Sequence, residues 1–263
     1  MATVFGVKGR RSGVLTAWTN AWLAGQCGTS DVVDAAETAD PRRPRDAGHQ
    51  VGGLAAFDAE LVPLREVLIA WRRAGSAVHL VLPVAGDVRG LPGPAPFHSA
   101  ALEAGEAVVG FRLGIVPRIV EYGPSSAATT VLWQAFALDP LPEDFIQLSD
   151  AQYDLTTVIR DSAEALSVAD VSNWVDDLAE ALHDARRAGE QLRLPPQSPS
   201  AAVALLAQAE RLQAVLDIAL SDPTGGAIDR AGIAARTAGL QPLITAVRRA
   251  RIAAYNAGSR LVT

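Results

Sequence analysis

Apolar residues recur at helical spacing at both ends of this chain and at strand spacing between them. Near the start, Val14, Leu15, Trp18, Ala21 and Trp22 fall on one side of a helix, and Thr16, Thr19 and Asn20 fall on the other. This predicts an amphipathic helix packed on a core through Trp18 and Trp22, with the threonines and Asn20 facing water. Gly25 and Gly28 follow where such a helix stops. Ser30 is placed to cap a second short helix over Asp31 to Thr38.

The Pro-, Gly- and charge-rich stretch from Asp40 to Gly53 reads as an exposed loop with His49 solvated in it. Helical spacing returns at Leu61, Leu64, Leu68 and Trp71, with Pro63 delaying or kinking the start and Gly75 ending the helix. "AVHLVLPVAGD", Ala77 to Asp87, reads as a buried strand and "HSAALEAG" as a short helix. The segments "EAVVGFRLG", "VPRIVEYG" and "ATTVLWQAFAL" suit a small mixed sheet ending near Leu138.

After Asp139 the pattern becomes purely helical. Ser149 with Gln152 forms a capping-box signature ahead of Leu155, Val158, Ile159, Ser162 and Leu166. A second helix is expected over 171–192, carrying Trp174 and Leu178. A third begins at Ser198-Pro199, a cap followed by proline, and its leucines cover more than one stripe, as in the middle of a bundle. Residues from Ala227 to Ala257 supply one or two more helices. The expected architecture is therefore α+β: N-terminal helices with a small mixed β-sheet over 1–140, followed by a C-terminal helical bundle over 141–263.

Charge refines this picture. The whole chain carries a net charge of −6, which weighs against a dedicated nucleic-acid binder. Between Asp139 and Glu190 there are 13 acidic and 3 basic residues, whereas from Thr224 onward there are 6 arginines and 1 aspartate. Acidic and basic helices are thus expected to lie near each other. A single cysteine, Cys27, excludes an intramolecular disulfide and a cysteine-based zinc site within one chain.

Cys27 also raises the question of export, because Lys8, Arg10 and Arg11 precede an apolar run that ends "LAGQC". Thr16, Thr19 and Asn20 interrupt that run, and Gln26 is not the small residue a lipoprotein signal places before its cysteine. The helix reading is preferred, with Cys27 an unmodified thiol in a cytoplasmic protein. No apolar run approaches the roughly 20 residues needed to span a bilayer, and no membrane association is expected.

Among candidate sites, the Gly/Pro loop after the strand at Ala77 holds Gly86, Asp87, Arg89, Gly90, Gly93 and His98. A strand leading through glycines into a helix is a layout in which backbone N–H groups approach an anion. It lacks the Lys-Ser/Thr of a nucleotide loop, and Pro92, Pro94 and Pro96 remove donors. Glu103 and Glu106 are expected as solvated carboxylates at a helix end. The histidines His49, His79, His98 and His183 are not at metal-ligand spacing. No catalytic residue, metal site or cofactor is expected.

The stretch from Ala227 to Tyr255 has the rhythm of a helix-turn-helix, with Thr237-Ala238-Gly239 as turn and Arg248, Arg249 and Arg251 as phosphate contacts. Pro242 occupies a position where base-reading side chains are normally carried, so nucleic acid is a disfavoured partner. The runs "LVLPVAGDVRGLPGPAPFHSAALEAGEAVVG", "NAWLAG" and "LQPLITAVRRARIAAYNAG" resemble conserved hypothetical proteins of actinobacteria. That resemblance implies a cytoplasmic bacterial protein and no particular chemistry. The leading expectation is a non-enzymatic interaction or regulatory module acting through its bundle or by self-association. A ligand-binding protein or enzyme using the loop 86–98, and a DNA-binding regulator using 227–255, are the alternatives.

Overall fold

In the computed structural model, which describes residues 9–40, 45–53, 61–122, 128–140, 145–168, 193–221 and 230–262, a six-stranded mixed sheet organises the first part of the chain. Its strands are β1 (Gly48–Gly52), β2 (Val62–Pro63), β3 (Val78–Val81), β4 (Ala107–Gly110), β5 (Leu113–Tyr122) and β6 (Ala128–Ala137), in the order β2-β1-β6-β5-β4-β3. The β1–β6 pairing is parallel and the others are antiparallel. The chain folds into two compact units. One comprises Met1–Phe145, Arg193–Pro199 and Tyr255–Thr263, and the other Ile146–Leu192 and Ser200–Ala254. The first unit is thus not one continuous stretch, because the chain returns to it twice.

Alternation along the strands sends side chains into two separate apolar layers of unit 1. One layer combines Val78, Val108, Ile115, Val131 and Trp133 with Leu15 and Trp22 of α1 (Arg10–Leu23), Val32 of α2 (Thr29–Glu37) and Leu64, Leu68 and Trp71 of α3 (Leu64–Ala74). The other combines Val81, Val109 and Val116 with Phe97 and Ala101 of α4 (Ala95–Ala104). Pro63 sits at the N-cap of α3, and Gly75 ends the helix in a left-handed conformation, as the spacing predicted.

Several expectations are corrected. Thr16, Thr19 and Asn20 do not face water: all three are 0 % exposed, so α1 is buried on both sides, while Trp22 is buried and Trp18 half-buried. The reason lies 58 residues away. Asn20 donates to the Val78 carbonyl at 2.8 Å and accepts from the Val78 N–H at 2.9 Å. The expected loop over 40–53 contains β1, whose partner β6 is remote in sequence, and His49 is buried. Helix α2 starts at Thr29, not Asp31; Gly28 precedes it and donates its N–H to Asp31 at 2.7 Å, so Ser30 is not the cap. Glu106 is not a free helix-end carboxylate, because it accepts the Ser12 N–H at 3.0 Å and caps the start of α1 from the sheet.

The described residues of unit 2 are almost entirely helical: α5 (Leu148–Val168), α6 (Ser200–Ser221) and the part of α7 (Arg230–Asn256) up to Ala254. Ser149 lies inside α5 and donates to Asp150, so the capping box is not formed. The helix expected over 171–192, with Trp174 and His183, lies outside the described residues. Acidic and basic helices do meet: Arg249 of α7 pairs with Asp154 of α5 at 2.9 Å, and Arg251 of α7 pairs with Glu210 of α6 at 2.9 Å. The turn expected at Thr237-Ala238-Gly239 is replaced by continuous helix through Pro242. Buried Leu240, Leu243, Val247 and Ala250 keep one register across that proline, and their burial outweighs its lost hydrogen bond.

Replacing Asn20 by alanine strands the N–H and C=O of Val78 in a dry environment, which costs about 2–4 kcal/mol. Urea denaturation should show this loss as a lower midpoint at unchanged slope. A change within about 0.5 kcal/mol, the range of ordinary surface substitutions, would mean that the strand edge does not depend on this carboxamide.

Candidate functional site

The loop that follows β3 opens with a tight hairpin. The Val84 N–H donates to the Asp87 carbonyl at 3.1 Å and the Asp87 N–H donates back to Val84 at 2.9 Å, with Ala85 and Gly86 at the tip. Gly86, the second residue of the tip, holds φ 85°, a left-handed value that glycine reaches without steric cost. Asp87 then takes Arg89 in a two-pronged pair, Nε to Oδ1 at 2.8 Å and Nη2 to Oδ2 at 2.7 Å. The two charged side chains expected to receive a ligand are therefore engaged with each other. Flanking them, Val84 and Val88 stand 42 % and 46 % exposed.

The glycines expected to cradle an anion serve packing. Gly90 lies beside Val81 and Phe145, and Gly93 lies against Leu138. At the start of α4 the N–H groups of Phe97 and His98 both donate to the Pro94 carbonyl, and Pro96 has no N–H to offer. His98 is half-buried in the first turns of α4, and its Nε2 is buried with no hydrogen-bond partner. Thus Gly86, Asp87 and Arg89 form one hairpin, Gly90 and Gly93 line its return, and His98 belongs to the helix.

Phe145 and His79 were not legible as part of this region. Their rings stack at a centroid separation of 3.7 Å and an interplanar angle of 5°. His79 occupies β3, and its Nδ1 is buried without a partner. Desolvation by burial lowers its pKa to about 4, so the ring is neutral near pH 7.

A second polar cluster lies beneath α1. Arg11 reaches Asp46 with two parallel hydrogen bonds, both 3.0 Å. The Asp46 Oδ2 also faces His49 Nε2 at 3.2 Å, and the indole N–H of Trp133 donates to His49 Nδ1 at 3.1 Å. An indole nitrogen can only donate, so Nδ1 carries the lone pair and Nε2 the proton that is given to Asp46. Burial alone would raise the Asp46 carboxyl, but the bonds from His49 and Arg11 and the guanidinium charge hold it below its usual range. Both ring nitrogens of His49 have internal partners, so the cluster ties α1 and β1 to β6.

The arginines considered for nucleic acid also have partners. Arg251 is buried on Glu210 and Arg249 pairs with Asp154, while Arg248 takes part in an interaction of its own. Among the described residues, no group of three or more His, Cys, Asp or Glu side chains is placed to hold a metal ion, and no helix is long and apolar enough to cross a membrane.

Two family models match the chain: the N-terminal domain of Rv1486c-like protein over residues 12–145, and its C-terminal domain over residues 149–252. Mycobacterial relatives match over nearly their whole length. Uncharacterized protein MT1533 of Mycobacterium tuberculosis is 34% identical over 92% of this chain and 95% of its own. Uncharacterized protein Rv1486c of the same species is 32% identical over the same shares, and ML1804 of Mycobacterium leprae 28%. No solved structure matches.

The neutral, half-buried His79 makes stability depend on pH. Its folded pKa of about 4 lies below the ordinary 6.5, so its contribution is complete above pH 6.5 and is lost as pH falls toward 4. The loss amounts to about 3 kcal/mol. His79→Phe, which keeps a ring for Phe145 and cannot take up a proton, should flatten the stability profile across that window in denaturation measured from pH 7 to 4. An equally steep profile in the variant would assign the dependence to other groups.

Proposed function

This chain belongs to the Rv1486c-like family, and from that premise we propose that it is a non-enzymatic interaction protein that docks a protein partner through the hairpin 84–88. The observation that carries this reading is the combination of exposed Val84 and Val88 with a hairpin closed by the reciprocal Val84–Asp87 backbone bonds and the Asp87–Arg89 pair. An apolar pair on a rigid support loses little conformational freedom on binding. Its neighbouring Asp87–Arg89 pair leaves the apolar contact to set the affinity. On this reading the α5–α7 unit is a helical bundle that serves as a second, separate domain.

The protein is further proposed to act in the cytoplasm. Cleavage ahead of Cys27 would remove α1, and with it Leu15 and Trp22 from the core and Asn20 from β3. Intact-mass measurement on protein from its native host should therefore show residues 10–23 retained and Cys27 unmodified. A species that starts at a lipidated Cys27 would overturn this assignment.

The docking reading is tested by affinity purification from native lysate with wild type and with Val84→Asp/Val88→Asp. The variant changes two exposed side chains, so its thermal stability should match wild type within about 0.5 kcal/mol. A partner should be recovered with wild type and be depleted about tenfold or more with the variant, the effect of losing one small hot spot. Recovery of the same proteins with both baits, or of the baits alone, would sink the proposal.

A further inference from the structure

A proline-rich stretch of the chain is bound to α1 within unit 1. Arg193–Pro199, with the sequence RLPPQSP, belongs to unit 1 although the residues before and after it belong to unit 2. The indole N–H of Trp18 donates to the Arg193 carbonyl at 2.7 Å, across 175 positions. Beyond that bond Leu194 is half-buried and Pro195 buried, while Arg193, Pro196, Gln197 and Pro199 are exposed. One carbonyl is held, and the two side chains after it are withdrawn from water.

The prolines set the shape of this segment before it binds. Pro195 and Pro196 lock φ near −65°, and each bars the residue ahead of it from the helical region. Residues 194 and 195 are thereby kept in the polyproline conformation, which makes no internal hydrogen bonds and leaves the Arg193 carbonyl to an outside donor. The extended stretch ends in a turn. The Ser198 N–H donates to the Pro195 carbonyl at 2.9 Å, with Pro196 in the second position, where turns favour proline.

Trp18 supplies the other half. It is half-buried, packed against the main core, and its indole nitrogen can only donate. Its helix is anchored by buried Leu15 and Trp22, so the donor is rigidly placed. An aromatic side chain with an N–H beside it is the chemistry that recognises proline-rich segments, because a preformed extended segment loses little entropy when it docks.

We propose that the Trp18 flank of α1 is a recognition site for proline-rich segments, and that its resident occupant is this chain's own Arg193–Pro196. The tether holds that occupant at an effective concentration on the order of millimolar, which keeps out a free peptide of the same sequence. The site is thus closed in cis and opens when the segment lets go. A competitor that opens it must offer the same chemistry at higher affinity: a free carbonyl two residues ahead of a proline. The hairpin 84–88 takes no part in this.

The Arg193–Leu194 bond is a trypsin site whose scissile carbonyl is the one Trp18 holds, so cleavage there reports release of the segment. In the full chain Trp18→Phe, which keeps a ring and loses the N–H, should raise cleavage at this bond about fivefold, the effect of one hydrogen bond. Cleavage after Arg72 and Arg73 in α3 should stay at the wild-type rate. Pro195→Ser/Pro196→Ser removes the preset conformation and should free the segment further; Pro196→Ala, at an exposed position, serves if the double variant does not fold. Adding a synthetic end-blocked peptide of residues 193–199 to that variant should return the Trp18 indole N–H signal in NMR to its wild-type position. The same peptide with alanine at Pro195 and Pro196 should need about tenfold more, and wild type, whose site is filled, should respond about tenfold more weakly. Unchanged cleavage at Arg193 in Trp18→Phe, an equal rise at all three arginines, no return of the indole signal, or an equal response to the two peptides would overturn the proposal.

Discussion

Two carboxamides hold the end of the sheet, and the arrangement of unit 1 follows from them. A β-strand at an edge carries N–H and C=O groups that must find partners if the surroundings are dry. On β3 those partners are Asn20 of α1, near the start of the chain, which serves Val78, and Asn256 in the last turn of α7, near its end, which serves Leu80. This requirement explains why α1 is buried on both sides: one side feeds the main core, and the other must reach the strand. It also explains why the chain returns to unit 1 at Tyr255. The opposite edge is protected more simply, since β2 is two residues long and contains Pro63.

The Arg11–Asp46–His49–Trp133 cluster plays a complementary part. Each partner alone would be expensive to bury; together they satisfy one another, with the His49 bonds directed by the indole N–H and the Arg11 bonds by a guanidinium that can only donate. The chain of donors runs from β6 through β1 to the loop before it, and the guanidinium brings α1 to the same carboxylate. Such a network favours one arrangement of these elements over near alternatives that would leave a charge unpaired.

What local pattern could reveal follows from these contacts. The helices at Leu64–Ala74 and Ser200–Ser221 announce themselves, because their starts, stops and apolar spacing are written within a dozen or two residues. Asn20 reads as a surface residue, since nothing near it in sequence shows that Val78 waits for it. His49 reads as a loop residue because its strand acquires meaning only beside Trp133, 84 positions on. Gly239 suggested a turn by its type alone, yet buried Leu240 and Leu243 directly after it belong to one unbroken helix. The hairpin at Val84 could be located as a Gly/Pro loop, but the pairing of Asp87 with Arg89 and the stacking of His79 on Phe145 depend on three-dimensional neighbours.

The distance between Leu80 and Asn256 also bears on how the protein is made. They stand 176 positions apart, so β3 leaves the ribosome long before the carboxamide that serves Leu80. At translation rates of about 5–20 residues per second that interval is roughly ten to thirty seconds. Throughout it the N–H and C=O of Leu80 face the nascent chain's surroundings. The sheet is therefore completed only after nearly all of the helical unit has been synthesised, which places the most vulnerable moment of this chain in its own biosynthesis.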